Sequence, residues 1–406
     1  MKKKISVLLA LVLILAVAFT LVACGEKDDT PGGDNTSNDG GNTPSGDTTG
    51  GDDDGDDQNL PTYTLVDKDG NEDADGGYVL FGSYPQSEVK DDAVKSALAQ
   101  KAGALPQNEK NGNWTSYKYP YGKANADGKN EMTNETDYMW YIDVKLDGET
   151  YRGVYFEYYR PNAAVGNLQD DSASTIFGYQ KDNGYKIGNV YWFKYEPLLW
   201  QIIQNKDGKA QLLCMTAIDS QPYTLVIKKS ENKFKDEKDE HYVFYNVTPD
   251  VPQNTLATNY QYSAIRAWLN GVFYQNAFNS KQKNLISETL LDNESGEVGS
   301  NTTDKVFVPS IAEIKDLKNL YRKASDYAKS QNLLTDYSHT NCDFWYTRDA
   351  FYMLRFQEGM LTYDSNRHEN VCGVKGGYLY NSTGSTRFAS VIASNSGVVP
   401  SLWIAL

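Results

Sequence analysis

The stretch Asn259–Phe278, NYQYSAIRAWLNGVFYQNAF, decides the fold. Ile265, Trp268, Leu269, Val272 and Phe273 recur at three- and four-residue steps, the spacing that puts apolar side chains on one face of a helix. Ser263 stands where an N-cap oxygen takes up free amide donors. Trp268 is the expected largest core anchor. Arg266 and Asn270, four apart beside the stripe, are placed to tie the helix to neighbouring backbone. Such a helix organises a core without naming a function.

Working outward, Gly188–Ile203 (GNVYWFKYEPLLWQII) and Ala210–Ala217 (AQLLCMTA) read as strands of a hairpin turning at Asn205–Gly208. Past the helix come a second helical segment over Ser280–Leu291, a short strand at Asp304–Ser310 and a helix over Ile311–Lys329. Strands at Phe344–Arg348 and within Arg387–Leu406 follow. Upstream, Tyr78–Gln86 reads as a strand ended by Gly82 and Pro85, and Glu88–Ala102 as a helix. Residues 103–184 are rich in Tyr, Asn and Gly, with short alternating runs such as Tyr151–Tyr159, and read as several strands with long loops inserted in the domain. The expected fold class is α+β: one mixed domain over 62–406, with an antiparallel sheet and a few packed helices.

The N-terminal part has a different character. Lys2–Lys4 precede an apolar run over Ile5–Phe19, and Leu21-Val22-Ala23-Cys24 places small residues before a cysteine. This resembles the bacterial lipoprotein signal. The resemblance implies that residues 1–23 are removed and that the Cys24 sulfur carries diacylglycerol, with fatty acylation such as palmitate on the new amine. Each buried methylene adds about 0.8 kcal/mol, so two or three chains anchor stably. Residues 24–61 are Gly, Asp, Thr, Ser and Asn with almost no large apolar side chain, the composition of a disordered tether of about 35 Å root-mean-square span. The expected location is the extracellular face of the bacterial cytoplasmic membrane.

Charge narrows the partners. The 406 residues carry a net charge of -15, and loss of the three signal lysines takes it to -18. So acidic a chain without a basic stripe is not expected to bind nucleic acid. Tyrosine is abundant, 30 against 14 Phe, which suits half-buried strands and wet binding surfaces alike. Asp67–Gly76 offers oxygen ligands at alternate positions. It fails the EF-hand pattern, with Glu72 where glycine belongs and Tyr78 where the closing glutamate belongs. It reads as a polar turn, and neither metal nor cofactor is expected.

Several segments together resemble an uncharacterised bacterial family, a domain of unknown function common in surface lipoproteins. They are FG-x-YPQ (Phe81–Gln86), YWFKYEP-x-x-W (Tyr191–Trp200), S-x-x-R-x-WLN (Ser263–Asn270) and F-Y-x-x-AF (Phe273–Phe278). DK-x-F-x-x-S-x-x-E (Asp304–Glu313), WY-x-R (Trp345–Arg348) and GV-x-P-x-LWI (Gly397–Ile404) complete the series. Val399 stands where that family usually has arginine, and Thr347 where it commonly has leucine. The pattern is distantly similar to the C-type-lectin-like fold of formylglycine-generating, sulfatase-modifying proteins, a fold-level analogy only. The lectin calcium triplets are absent.

Catalytic signals are sparse. Cys342 and Cys372 lack the close pairing of the formylglycine-generating enzymes. In an exported chain they are candidates for a disulfide, with inert thiols as the alternative. His339 and His368 lie three and four residues from them without an established zinc spacing. There is no nucleophile elbow, phosphate loop or dinucleotide fingerprint. The expected function is therefore non-catalytic recognition of glycan or cell-wall material, with Trp345, Tyr346, Arg348, Trp114 and Trp140 as candidate ligand-binding residues. The alternatives are a protein-binding adhesin or assembly component, and an extracellular enzyme such as a glycoside hydrolase or formylglycine-generating-type oxidase.

Overall fold

The computed structural model describes residues 62–106, 112–117, 139–157, 159, 180–224, 255–256, 258–351, 371–379 and 395–406, together with the backbone of a few strand segments between them. Residues 1–61, and with them the signal, Cys24 and the tether, lie outside the described residues, as do His241 and His368.

The N-terminal elements are β1 (Thr64–Val66), β2 (Tyr78–Glu88), α1 (Asp92–Ala102), β3 (Met139–Leu146), β4 (Glu149–Phe156), β5 (Val190–Lys206) and β6 (Lys209–Cys214). Then come α2 (Ala264–Trp268), α3 (Tyr274–Ala277), α4 (Ser280–Leu285), β7 (Ile286–Ser287), β8 (Thr289–Leu291), β9 (Thr302–Asp304) and β10 (Val306–Phe307). The last are α5 (Ile311–Ile314), α6 (Asp326–Ser330), β11 (Phe344–Ala350), β12 (Asn370–Lys375), β13 (Gly397–Val398) and β14 (Ser401–Ala405). All fall in one compact unit, Asn59–Leu406. The α+β expectation holds.

The main sheet runs β7, β14, β6, β5, β4, β3 and the two-residue strand Thr115–Ser116, with β2 also paired to β5. Its ladders are antiparallel. From the stretch read as an insertion, Met139–Phe156 supplies β3 and β4 of this sheet. The β5–β6 turn is two residues, Asp207 and Gly208, both with positive φ (52° and 72°), as a tight hairpin of right-handed twist requires. A second sheet joins β11 to β12 antiparallel and to β13 in parallel.

Two apolar cores result. The larger gathers Trp200, Phe273, Tyr327, Trp345 and Leu402 among many others. The smaller lies under α1 and holds Leu98, Trp114, Trp140, Ile142 and Trp192.

The organising stretch starts as expected: Ser263 Oγ accepts Arg266 N at 3.2 Å. A π-type turn over Leu269–Phe273 then inserts a residue into the spiral. The buried line becomes Ile265, Leu269, Phe273 and Ala277, while Val272 turns out and Trp268 is half-buried, stacked on Phe273 at 5.5 Å. Trp200 and Trp345 take the anchoring role expected of Trp268. Arg266 and Asn270 do tie the helix down. Arg266 Nε donates to Asp304 Oδ1 at 2.7 Å, and Asn270 donates to Val306 O while accepting Lys305 N and Val306 N.

Other boundaries move for tertiary reasons. Strand β2 runs through Gly82 and Pro85, because register shifts absorb both. Gly82 has φ +70°, and a Cβ there would sit 2.6 Å from the Phe278 ring, so only glycine lets strand and helix approach so closely. The helix from Ser280 stops at Leu285, since Ile286 and Ser287 pair with β14 instead. The expected helix over Ile311–Lys329 survives only at its ends. Between them, Lys323 and Ala324 pair with Thr216 and Ala217, and Leu320 O accepts Trp345 Nε1. These contacts override helix propensity. Asp67 closes the polar turn by accepting Asp69 N and Asn71 N, and its hydrogen bonds from Asn71 hold its carboxyl below the ordinary range.

Candidate functional site

The five candidate recognition residues are all interior. Trp345, Tyr346, Arg348, Trp114 and Trp140 are each at most 5 % exposed, so none offers a ring or charge to a ligand at the surface. The reason is their position. Trp345 and Tyr346 lie on β11, where Trp345 Nε1 donates to Leu320 O at 3.2 Å and Tyr346 packs edge-on against Tyr223. Trp114 and Trp140 fill the space beneath α1.

Arg348 is a tie rod. Its Nη2 and Nη1 donate to Glu313 Oε1 and Oε2 at 2.7 and 2.9 Å, and Nη1 also reaches Val308 O at 2.8 Å. Burial opposes its charge, yet Glu313 holds its pKa above the ordinary value. Glu313 in turn closes a capping box with Ser310. The segments WY-x-R, DK-x-F-x-x-S-x-x-E and S-x-x-R-x-WLN thus meet through Arg348–Glu313 and Arg266–Asp304. They serve folding.

The cysteines do not pair. Cys342 Sγ donates to Phe344 O at 3.0 Å and Cys372 Sγ to Ala350 O at 3.3 Å, and both are free, buried thiols like Cys214. Of the two alternatives for Cys342 and Cys372, a disulfide or inert thiols, the structure has the thiols, each sulfur held by its own backbone acceptor. His339 is exposed and bonded to Thr335. Among the described residues no group of three His, Cys, Asp or Glu is placed to hold a metal ion.

Two buried arginines besides Arg348 also belong to the interior. Arg152 donates to both oxygens of Asp143 at 2.8 and 2.7 Å, and its guanidinium lies 4.5 Å from the Tyr141 ring centroid and within 5.9 Å of those of Tyr84, Tyr195 and Tyr327. Arg322 has no carboxylate partner among the described residues; it donates to Asn319 O and Tyr321 O and lies 5.7 Å from the Trp345 ring. Burial brings its pKa down to about 10.

A concave feature that reaches solvent lies elsewhere among the described residues. A depression of about 280 Å³ is lined by Lys206, Asp207 and Lys209 of the β5–β6 hairpin, Ser287 to Leu290 of β7 and β8, and Trp403 of β14. Three strands build it by register, Ser287 opposite Trp403 on one side and Gln211 on the other. Leu402 and Ile404 are buried in the core, whereas Trp403 between them is half-buried, packing against the core while also lining the depression. Leu290 stands beside it, 73 % exposed. An aromatic face, an aliphatic neighbour and a rim of both charge signs can hold a small polar ligand by stacking and hydrogen bonds. The volume falls just under the roughly 300–1,000 Å³ of pockets for drug-sized ligands. Sequence reading passed over Trp403, although the alternation in Ser401–Ala405 sets it apart from Leu402 and Ile404.

A model of the family described as Domain of unknown function (DUF6273) matches residues 241–406. The expected resemblance to an uncharacterised domain family holds over that part of the chain. No curated protein and no solved structure matches.

Proposed function

We propose that this chain is a non-catalytic recognition protein, held at the outer face of the cytoplasmic membrane through lipidated Cys24, which binds glycan at the Trp403 depression. The observation that carries the reading is the half-buried tryptophan with its mixed charged rim. Trp403 is partly buried and lines a depression beside Leu290, which is 73 % exposed, with charges of both signs on the rim, a surface suited to stack on a sugar ring. Support for export comes from the charge, apolar run and small-residue box before Cys24. The C-type-lectin-like resemblance adds nothing to the choice of ligand, because a fold does not fix a function.

The test is binding of the full chain, purified in detergent, to a glycan array and to purified cell wall, with and without a calcium chelator. Saturable binding that Trp403→Ala weakens at least tenfold, while circular dichroism is unchanged, supports the reading. Failure of the folded chain on every glycan surface overturns it and directs attention to protein partners.

A further inference from the structure

A second surface feature stands apart from the depression. Lys283 of α4 and Lys305, between β9 and β10, converge on Tyr274 of α3. Their Nζ atoms lie 5.5 and 5.0 Å from the centre of its ring. Lys305 Nζ donates to the Tyr274 phenol oxygen at 3.4 Å, and Lys283 Nζ donates to Gln275 O and Oε1 at 3.2 and 2.8 Å. Both lysines are half-buried and the tyrosine is buried. In so acidic a chain a nearby carboxylate is the natural partner of a lysine, yet among the described residues neither lysine has one. Asp304, next to Lys305, is already taken by Arg266 and Thr302.

Two ammonium groups near one ring repel, and burial, with Lys305 beside it, lowers the pKa of Lys283. The donors left over define what would relieve the repulsion. An ammonium carries three N–H groups and accepts nothing, so against the described residues Lys283 keeps one unused and Lys305 two. Because the phenol oxygen accepts from Lys305, its own hydrogen remains available. Compact point charges on flexible stems suit a tetrahedral oxyanion, whereas planar carboxylates favour the fork of arginine. We propose that Lys283, Lys305 and the Tyr274 hydroxyl bind a phosphate group. The inference is independent of the Trp403 reading. Its place in the fold does put the two sites on one strand edge, because Val306, next to Lys305, pairs with Leu402 and Ser287 pairs with Trp403.

The probes are inorganic phosphate, glycerol 3-phosphate and a poly(glycerol phosphate) oligomer, with glycerol as the uncharged control. Each is titrated into the full chain by calorimetry. Saturable binding of the phosphate probes but not of glycerol is expected, falling as salt is added. Lys283→Gln with Lys305→Gln should weaken it at least tenfold, Tyr274→Phe less, and Trp403→Ala not at all. Stronger binding of the oligomer would identify an envelope polymer as the source of the phosphate, and stronger binding of the ester a free metabolite. Lack of saturable phosphate binding by the folded chain overturns the proposal, as does undiminished affinity in the double variant. Should that double variant unfold, Lys283→Gln alone decides, since its side chain makes no ion pair whose loss would unfold the protein.

Discussion

The interior around β11 and the depression beside β14 use the same kinds of residue to opposite ends. Inside, Trp345, Tyr346 and Arg348 are closed over by neighbours, and the two Nη atoms of the guanidinium donate to Glu313 and Val308. At the depression, Trp403 is half-buried, with Leu290 and two lysines around it. Aromatic and charged residues in a recurrent motif are therefore no guide to a site until their direction is known. On β11 flanking elements cover both faces, whereas β14 has the core on one face only.

The largest effects should come from the interior. Arg348→Met leaves Glu313 without its partner and is expected to cost about 3–5 kcal/mol, read from urea midpoints at constant slope. Adding Glu313→Gln should recover part of that loss, and strictly additive losses would show that the two residues do not act as a pair. Trp345→Ala should cost a similar amount, about 3–5 kcal/mol. Trp403→Ala should cost distinctly less, and equal costs would erase the contrast between the two regions. Next comes Ser263→Ala, expected to remove about 1 kcal/mol through the lost N-cap bond. The smallest response belongs to the thiols. Burial pushes Cys214 and Cys372 up to about 12 and Cys342 higher still, so a thiol reagent at pH 8 should leave all three untouched in the native chain and modify them after unfolding. Rapid native labelling would mean the interior opens far more readily than its packing suggests.

What the sequence made legible were local features with their own chemistry: the Ser263 cap, the hairpin turn within Asn205–Gly208, and Arg266 and Asn270 as ties. What it hid depends on distant partners. The π-type turn that rotates Trp268 and Val272 outward has no marker in a three- and four-residue repeat. The stretch after Ile314 reads as helix until Trp345 claims the carbonyl of Leu320. The Trp403 depression needs three strands from separate parts of the chain, and the Lys283–Lys305 pair needs the fold to bring together residues that no spacing rule connects.

The placement of β14 has a consequence for how the protein is made. Strand β14 lies between β6 on one side and β7 and β10 on the other, yet it is synthesised long after β6. Until it arrives, three strand edges stand open, the arrangement that invites pairing with other chains. Closure therefore waits on distant contacts, which slows folding. A chain lacking Ser401–Ala405 would leave those edges open to pairing with other chains, so the strand that carries Trp403 also guards the sheet against aggregation.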